Sequence, residues 1–242
     1  MAQTDVDAPQ NRPVRNSIGE LFKTLVSLVI WLGFMLASMF WPAGTWDWPR
    51  GWMFFAVYCA ATVIACAWLW ITNPEIFAAR RKIQEGTKAW DKVLTIVVVI
   101  VFCTIMPVSA LDDARYHWSA LPDGPVIAGY VLFVVGFFGF AWAQSVNRNF
   151  EATVRIQTDR GHQVITTGPY SVVRHPGYAF AILMGIGMPL AMGSLYGLIP
   201  VGVLLVCVLI RTLGEDATLK AELPGYAEYA QRVKQRWIPG IW

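Results

Sequence analysis

Along the chain, long apolar runs alternate with short, densely polar stretches. Six apolar segments stand out, at about residues 21–41, 52–72, 93–111, 125–146, 177–192 and 195–210. Segments 93–111 and 125–146 contain no Asp, Glu, Lys or Arg. A helix needs about 20 apolar residues to cross the hydrocarbon core of a bilayer. A sheet edge there has nothing to satisfy its backbone. The pattern predicts an all-α fold, a polytopic membrane helix bundle of about six spans. The last two segments are short, about 24 Å each at ~1.5 Å per residue. Gly193-Ser194 joins them in a predicted tight hairpin, where Pro189 and Pro200 can introduce kinks. A polar, cytoplasmic C-terminal helix of about 15 residues, ending near Trp237, is expected after it.

Basic residues orient the bundle. With six spans, 17 of the 19 Lys and Arg fall on the side of both termini, and only Arg50 and Arg115 fall on the other. Both termini are therefore expected in the cytoplasm of an integral membrane protein, in a bacterial inner membrane or its equivalent. Trp41, Trp46, Trp48, Trp52 and Trp118 edge the short outer connections and read as interface anchors. Three longer segments, 73–92, 147–176 and 211–242, share the basic side, so polar chemistry has to be built there. Residues 1–16 read as a disordered cytoplasmic tail, and the first apolar run as a retained span rather than a signal peptide. The expected division is a four-span region over 17–146 and a core over 147–242.

Composition agrees: 56% of residues are hydrophobic and 14% charged, against about 25% charged in soluble domains. The net charge of +3 does not argue for a nucleic-acid partner. Cys59, Cys66, Cys103 and Cys207 lie in apolar segments and read as small hydrophobes. His117, His162 and His175 show no metal-ligand spacing, and no metal is expected. No ionisable residue is expected inside a span, which speaks against a transport path.

The densest polar cluster is NRNFEATVRIQTDRGHQVITTGPYSVVRHPGY, 147–178. It contains predicted turns at Asp159-Arg160-Gly161 and Gly168-Pro169. Pro176 suits the first turn of a helix. A helix start there, with Arg174 and His175 just before it, suits an anionic group. The plainer reading is an arginine that snorkels to headgroups and a histidine that caps a turn. Glu215 and Asp216 follow the sixth segment with Arg211; adjacent acids can accept from vicinal hydroxyls, or simply be solvated. The hairpin should bring both clusters to one membrane surface. Gly185 and Gly187 form a small-residue pair, commonly a packing device.

GPYSVVRHPGY (168–178), the hairpin, and EDATLKAELPGYAEYAQRVKQRWIPGI (215–241) together resemble the isoprenylcysteine carboxyl methyltransferase and phospholipid methyltransferase superfamily, with 73–92 similar to bacterial members. The resemblance implies an S-adenosylmethionine site. Arg174, His175, Pro176 and Tyr178 match its RHPxY motif, and Gly185 and Gly187 its GxG element. Glu215 and Asp216 match its double glutamate, with Asp in place of the second Glu, and Tyr226 and Tyr229 the tyrosines beyond. The expected cofactor-binding residues are these two acids with Tyr170, Arg174, His175, Pro176, Tyr178, Gly185 and Gly187. Arg174, His175 and Arg211 are the expected catalytic residues. The implied partner is a lipophilic acceptor arriving from the bilayer among membrane lipids. A carboxylate acceptor is already ionised and needs an orienting cation, for which Arg174, Arg148 and Arg211 are candidates. An amine such as phosphatidylethanolamine needs a base. An NADPH-dependent reductase of the sterol reductase type is the rival enzyme reading.

Overall fold

The computed structural model describes residues 18–80, 86–157 and 161–242. The expected tail, Arg81, Lys82 and Asp159-Arg160 lie outside these residues. The helices are α1 Ile18–Ala43, α2 Pro49–Thr72, α3 Glu75–Ala79, α4 Ala89–Ala110, α5 Asp123–Val146, α6 Pro176–Ala191, α7 Leu198–Glu222 and α8 Tyr226–Arg232. A π-helical stretch, Leu111–Tyr116, extends α4. Among the described residues there is no strand.

Helix ends follow local chemistry. Pro49 and Pro176 open α2 and α6, where a missing N–H costs nothing. Asn73 and Leu223 end α2 and α7 in non-helical conformation, each directly before a proline, whose ring disfavours helical backbone in the preceding residue. Gly225 then takes a φ of +81°, left-handed backbone that turns the chain into α8.

Among the described residues five helices, α1, α2, α4, α5 and α7, are long and apolar enough to cross a membrane. The expected pair of short final segments is corrected. Only α6 is short, with 16 residues, while α7 is one continuous helix of 25. The expected C-terminal helix is corrected with it. Its first part, including Arg211, Glu215 and Asp216, belongs to α7, because nothing before Pro224 interrupts helical hydrogen bonding. Only seven residues form α8. Charged groups therefore do sit on a spanning helix, contrary to expectation, though all toward one end.

Both ends of the bundle are pinned. At one end, Asn73 Nδ2 donates to the Gln144 carbonyl (2.7 Å), Lys88 Nζ pairs with Glu222 (2.6 Å), and Arg211 Nε lies 2.9 Å from Asp91 Oδ1. These contacts gather the end of α2, the start of α4, the end of α5 and the end of α7. At the other end, Asp113 accepts from Trp48 Nε1 (2.7 Å) and Arg50 Nη1 (2.9 Å). Trp48 is thus buried, not an interface anchor, whereas Trp41, Trp46, Trp52 and Trp118 are exposed.

Asp112 holds the α6–α7 turn. Its Oδ1 accepts from the Ser119 N–H (2.7 Å). Its Oδ2 accepts from Ser119 Oγ (2.7 Å), Ser194 Oγ (2.5 Å) and the Tyr196 N–H (3.1 Å). The side chain is fully buried. Removing it strands several donors at about 1–3 kcal/mol each. Asp112→Ala is expected to lower the melting temperature in detergent by about 10 °C, at ~2–4 °C per kcal/mol. A thermal scan of the purified variant checks this.

Candidate active site at the basic end

The loop after α5, the start of α6, the end of α7 and the C-terminal segment converge on Asp216. Arg174 Nε and Nη2 donate to its two oxygens (2.8 and 3.0 Å), a bidentate pair. Tyr226 Oη donates at 3.0 Å, His175 Nε2 lies 3.4 Å away, and Lys220 and Arg236 approach within 2.9 and 3.3 Å. Arg174 Nη1 donates to the carbonyls of Val233 and Lys234, both at 2.7 Å. Four of its five N–H groups are thereby engaged. The backbone joins in: the Arg174 and His175 N–H groups donate to the Gln235 and Arg236 carbonyls. Arg174 is a keystone tying the C-terminal segment to α7, with its guanidinium occupied. It does not snorkel, and His175 makes no side-chain cap.

A cavity of about 760 Å³ opens beside this knot. Of the expected residues, Tyr170, Arg174, His175, Tyr178, Arg211 and Glu215 line it, as do Tyr226 and Tyr229. Asp216, Pro176, Gly185 and Gly187 are not among its lining residues, and neither is Arg148. A Cβ at Gly187 would stand 2.2 Å from the Phe133 nitrogen, so this glycine serves the contact between α5 and α6. Gly185 is buried against Val201 and Leu204 of α7. The two adjacent acids thus divide: Asp216 is enclosed by partners, while Glu215 faces the cavity. Tyr178 Oη donates to Glu215 Oε2 at 2.5 Å. Among the described residues nothing donates to Glu215 Oε1, which leaves that oxygen open to a ligand.

Aromatic rings frame the rest. His175 stacks on Tyr178 with ring centres 5.8 Å apart, and the Arg211 guanidinium lies 5.8 Å from the centre of the Tyr178 ring. Tyr229 Oη donates to the Tyr170 carbonyl (2.6 Å), and Tyr170 Oη accepts from Asn147 Nδ2 (3.1 Å). Burial raises the phenols of Tyr170 and Tyr226 above their usual range and pushes Tyr229 up to about 12. These tyrosines are neutral donors at neutral pH, not bases.

Several residues in or directly behind the cavity lining escape the motif reading. Asp91, fully buried, accepts from Arg211 Nη2 (3.1 Å) and the Val154 N–H (2.6 Å). Arg155 forms a bidentate pair with Glu151 at 2.7 and 2.8 Å. The Asp in KAWDK and the Glu-x-x-x-Arg spacing were visible, but only the fold puts them together. The cavity also extends away from the polar residues. Between the spanning helices its wall is Leu28 and Trp31 of α1, Thr62 and Ala65 of α2, and Val98 and Phe102 of α4. Trp31 Nε1 donates to Tyr58 Oη at 2.7 Å across this arm.

A polar chamber at the membrane end, continuous with an apolar arm between spanning helices, suits chemistry on an amphiphile. A family model described as phospholipid methyltransferase matches residues 125–222, from the third residue of α5 to the last residue of α7. No curated protein matches the chain. The match gives a reductase reading no support, and with the five apolar helices it makes this an integral membrane protein. Over residues 125–222, which build most of the chamber, the chain is similar to the phospholipid methyltransferase family.

Proposed function

We propose that the protein transfers a methyl group from S-adenosylmethionine to a lipophilic acceptor, an isoprenylcysteine-type carboxylate or a similar small lipid-like group. The observation that carries this reading is the continuity of the cavity from Glu215, His175 and Tyr178 into the apolar arm beside Trp31 and Thr62. The polar chamber fits the cofactor by its donor set. Glu215 offers an open carboxylate oxygen for hydroxyl or ammonium donors, and Tyr178 and Tyr170 offer flat aromatic walls.

When bound, S-adenosylmethionine supplies a methyl group activated by its sulfonium. The chain's own part is positioning, which can contribute several kcal/mol to a displacement. Glu215 anchors, Tyr178 orients Glu215, and His175 closes the wall against Asp216 and Tyr226. The knot of Arg174 and Asp216 keeps α7 and the C-terminal segment in register, so that these groups hold still. The basic end is read as cytoplasmic, with both termini on that side.

The test is thermal stability of detergent-purified protein with S-adenosylhomocysteine and, separately, with NADPH. A ligand at 100 times its Kd adds about 2.7 kcal/mol to the folded state. A rise of several degrees with S-adenosylhomocysteine, lost in Glu215→Gln, is the expected result. A rise with NADPH alone overturns the proposal.

A further inference from the structure

Among the described residues four arginines line the cavity: Arg80, Arg155, Arg174 and Arg211. Three have carboxylate partners. Arg155 is paired with Glu151, Arg174 with Asp216 and Arg211 with Asp91. Among the described residues no carboxylate pairs with Arg80. Its guanidinium instead rests near two rings, 5.6 Å from the centre of Phe140 and 5.7 Å from that of Phe150. Rings at this range hold a cation while leaving its N–H groups unspent.

A second observation lies one turn of α5 beyond Phe140. Gln144 of α5 lines the cavity and is 4% exposed, yet its Nε2 has no hydrogen-bond partner. A buried donor left without a partner costs about 1–3 kcal/mol. The terminal torsion of Gln is soft, so the amide can present its N–H groups to a ligand. Phe150 also touches the start of α6. A Cβ at Gly177 would come within 2.8 Å of its ring. The corner therefore adjoins His175 and Tyr178.

We infer that Arg80 and Gln144 form a binding site for the anionic group of an amphiphile, a carboxylate or a phosphate, whose chain occupies the apolar arm of the cavity. This deepens the methyltransferase reading by naming the class of acceptor, an acidic lipid-like molecule, and rests on that reading for its catalytic meaning. Arg80 is a specificity residue here, on the segment between α2 and α4 rather than in the motif that opens α6. Arg80 is exposed to the cavity and solvent and remains a cation at neutral pH, with Arg211 as a like charge nearby. An anion placed there relieves the repulsion between the two guanidinium groups and gives Gln144 a partner.

The test uses the full chain in maltoside detergent, titrated by calorimetry with dodecanoate, dodecyl phosphate and dodecanol. The three probes share a chain and differ in the head. At least one anionic probe is expected to bind about tenfold or more tighter than dodecanol, as charge-assisted hydrogen bonds allow. Preference for dodecanoate alone identifies a carboxylate acceptor, and preference for dodecyl phosphate alone a phosphorylated one. Arg80→Gln is expected to abolish the preference while leaving dodecanol binding unchanged, and Gln144→Met to weaken it less. Equal binding of all three probes, or a preference that survives in Arg80→Gln, overturns the inference. The stabilisation by S-adenosylhomocysteine is read on the same samples. Its absence from the wild-type protein would remove the methyltransferase reading without touching the anion site, and its retention in Arg80→Gln separates the two.

Discussion

Asp216→Ala is expected to unfold much of the protein's basic end, while Glu215→Gln, one residue away, leaves the fold intact. Asp216 is 2% exposed and takes Arg174, Tyr226, His175, Lys220 and Arg236 as partners. Removing it leaves the Arg174 guanidinium buried without its counter-charge. Breaking one side of a buried pair costs about 3–5 kcal/mol. At ~2–4 °C per kcal/mol the melting temperature should fall by about 10 °C or more. Glu215 has one described partner, Tyr178, and an open oxygen. Its amide keeps the shape, so the expected change is within about 2 °C, on the scale of ±0.5 kcal/mol for a site without a special contact. Melting curves of the two variants decide it. If both are near-neutral, the pair is merely solvated and the knot around Asp216 does not hold the end together.

Gly187→Ala is the second large effect, and its contrast is Gly185→Ala. A Cβ at Gly187 meets backbone on α5: Phe133 N at 2.2 Å, Gly129 O at 2.7 Å and Phe133 Cα at 2.7 Å. Backbone cannot swing aside as a side chain can, so the two helices must part. The approach is repeated at Gly136 of α5, where a Cβ would stand 2.3 Å from Met184 N. Overpacking costs about 1–3 kcal/mol or more where nothing can yield, and Gly187→Ala is expected to give little folded monomer by size exclusion in detergent. At Gly185 the nearest atoms are side-chain carbons of Val201 and Leu204 at 3.7 and 3.8 Å, ordinary contact. Gly185→Ala is expected to fold and to retain stabilisation by S-adenosylhomocysteine. Loss of that stabilisation in well-folded Gly185→Ala would return this glycine to the cofactor site that its motif implies.

The membrane character, the helical class and the position of the spans were legible in the sequence because hydrophobicity integrates over about 20 residues and tolerates local ambiguity. The RHPGY segment and the two acids were legible as a group for a related reason. A hairpin must return to the side where it started, so the residues before α6 and after the apolar part of α7 meet. What each of these residues touches was not legible. Asp216 and Glu215 are neighbours in sequence, but on a helix adjacent residues point about 100° apart. One therefore enters the knot and the other faces the cavity. The same rule hid the length of α7, since a helix continues through polar residues until proline or glycine stops it. Arg174 reads as a free cation until Val233, Lys234 and Asp216 surround it. Arg80 reads as one more basic loop residue until every other described arginine on the cavity is seen with a carboxylate. Pattern along the chain determined the bundle and the face where chemistry can happen. Long-range pairing, from Lys88 with Glu222 and Asp91 with Arg211 to Arg174 with Asp216, decided which charges are spent on structure and which remain for a ligand, because that depends on partners as many as 134 residues away.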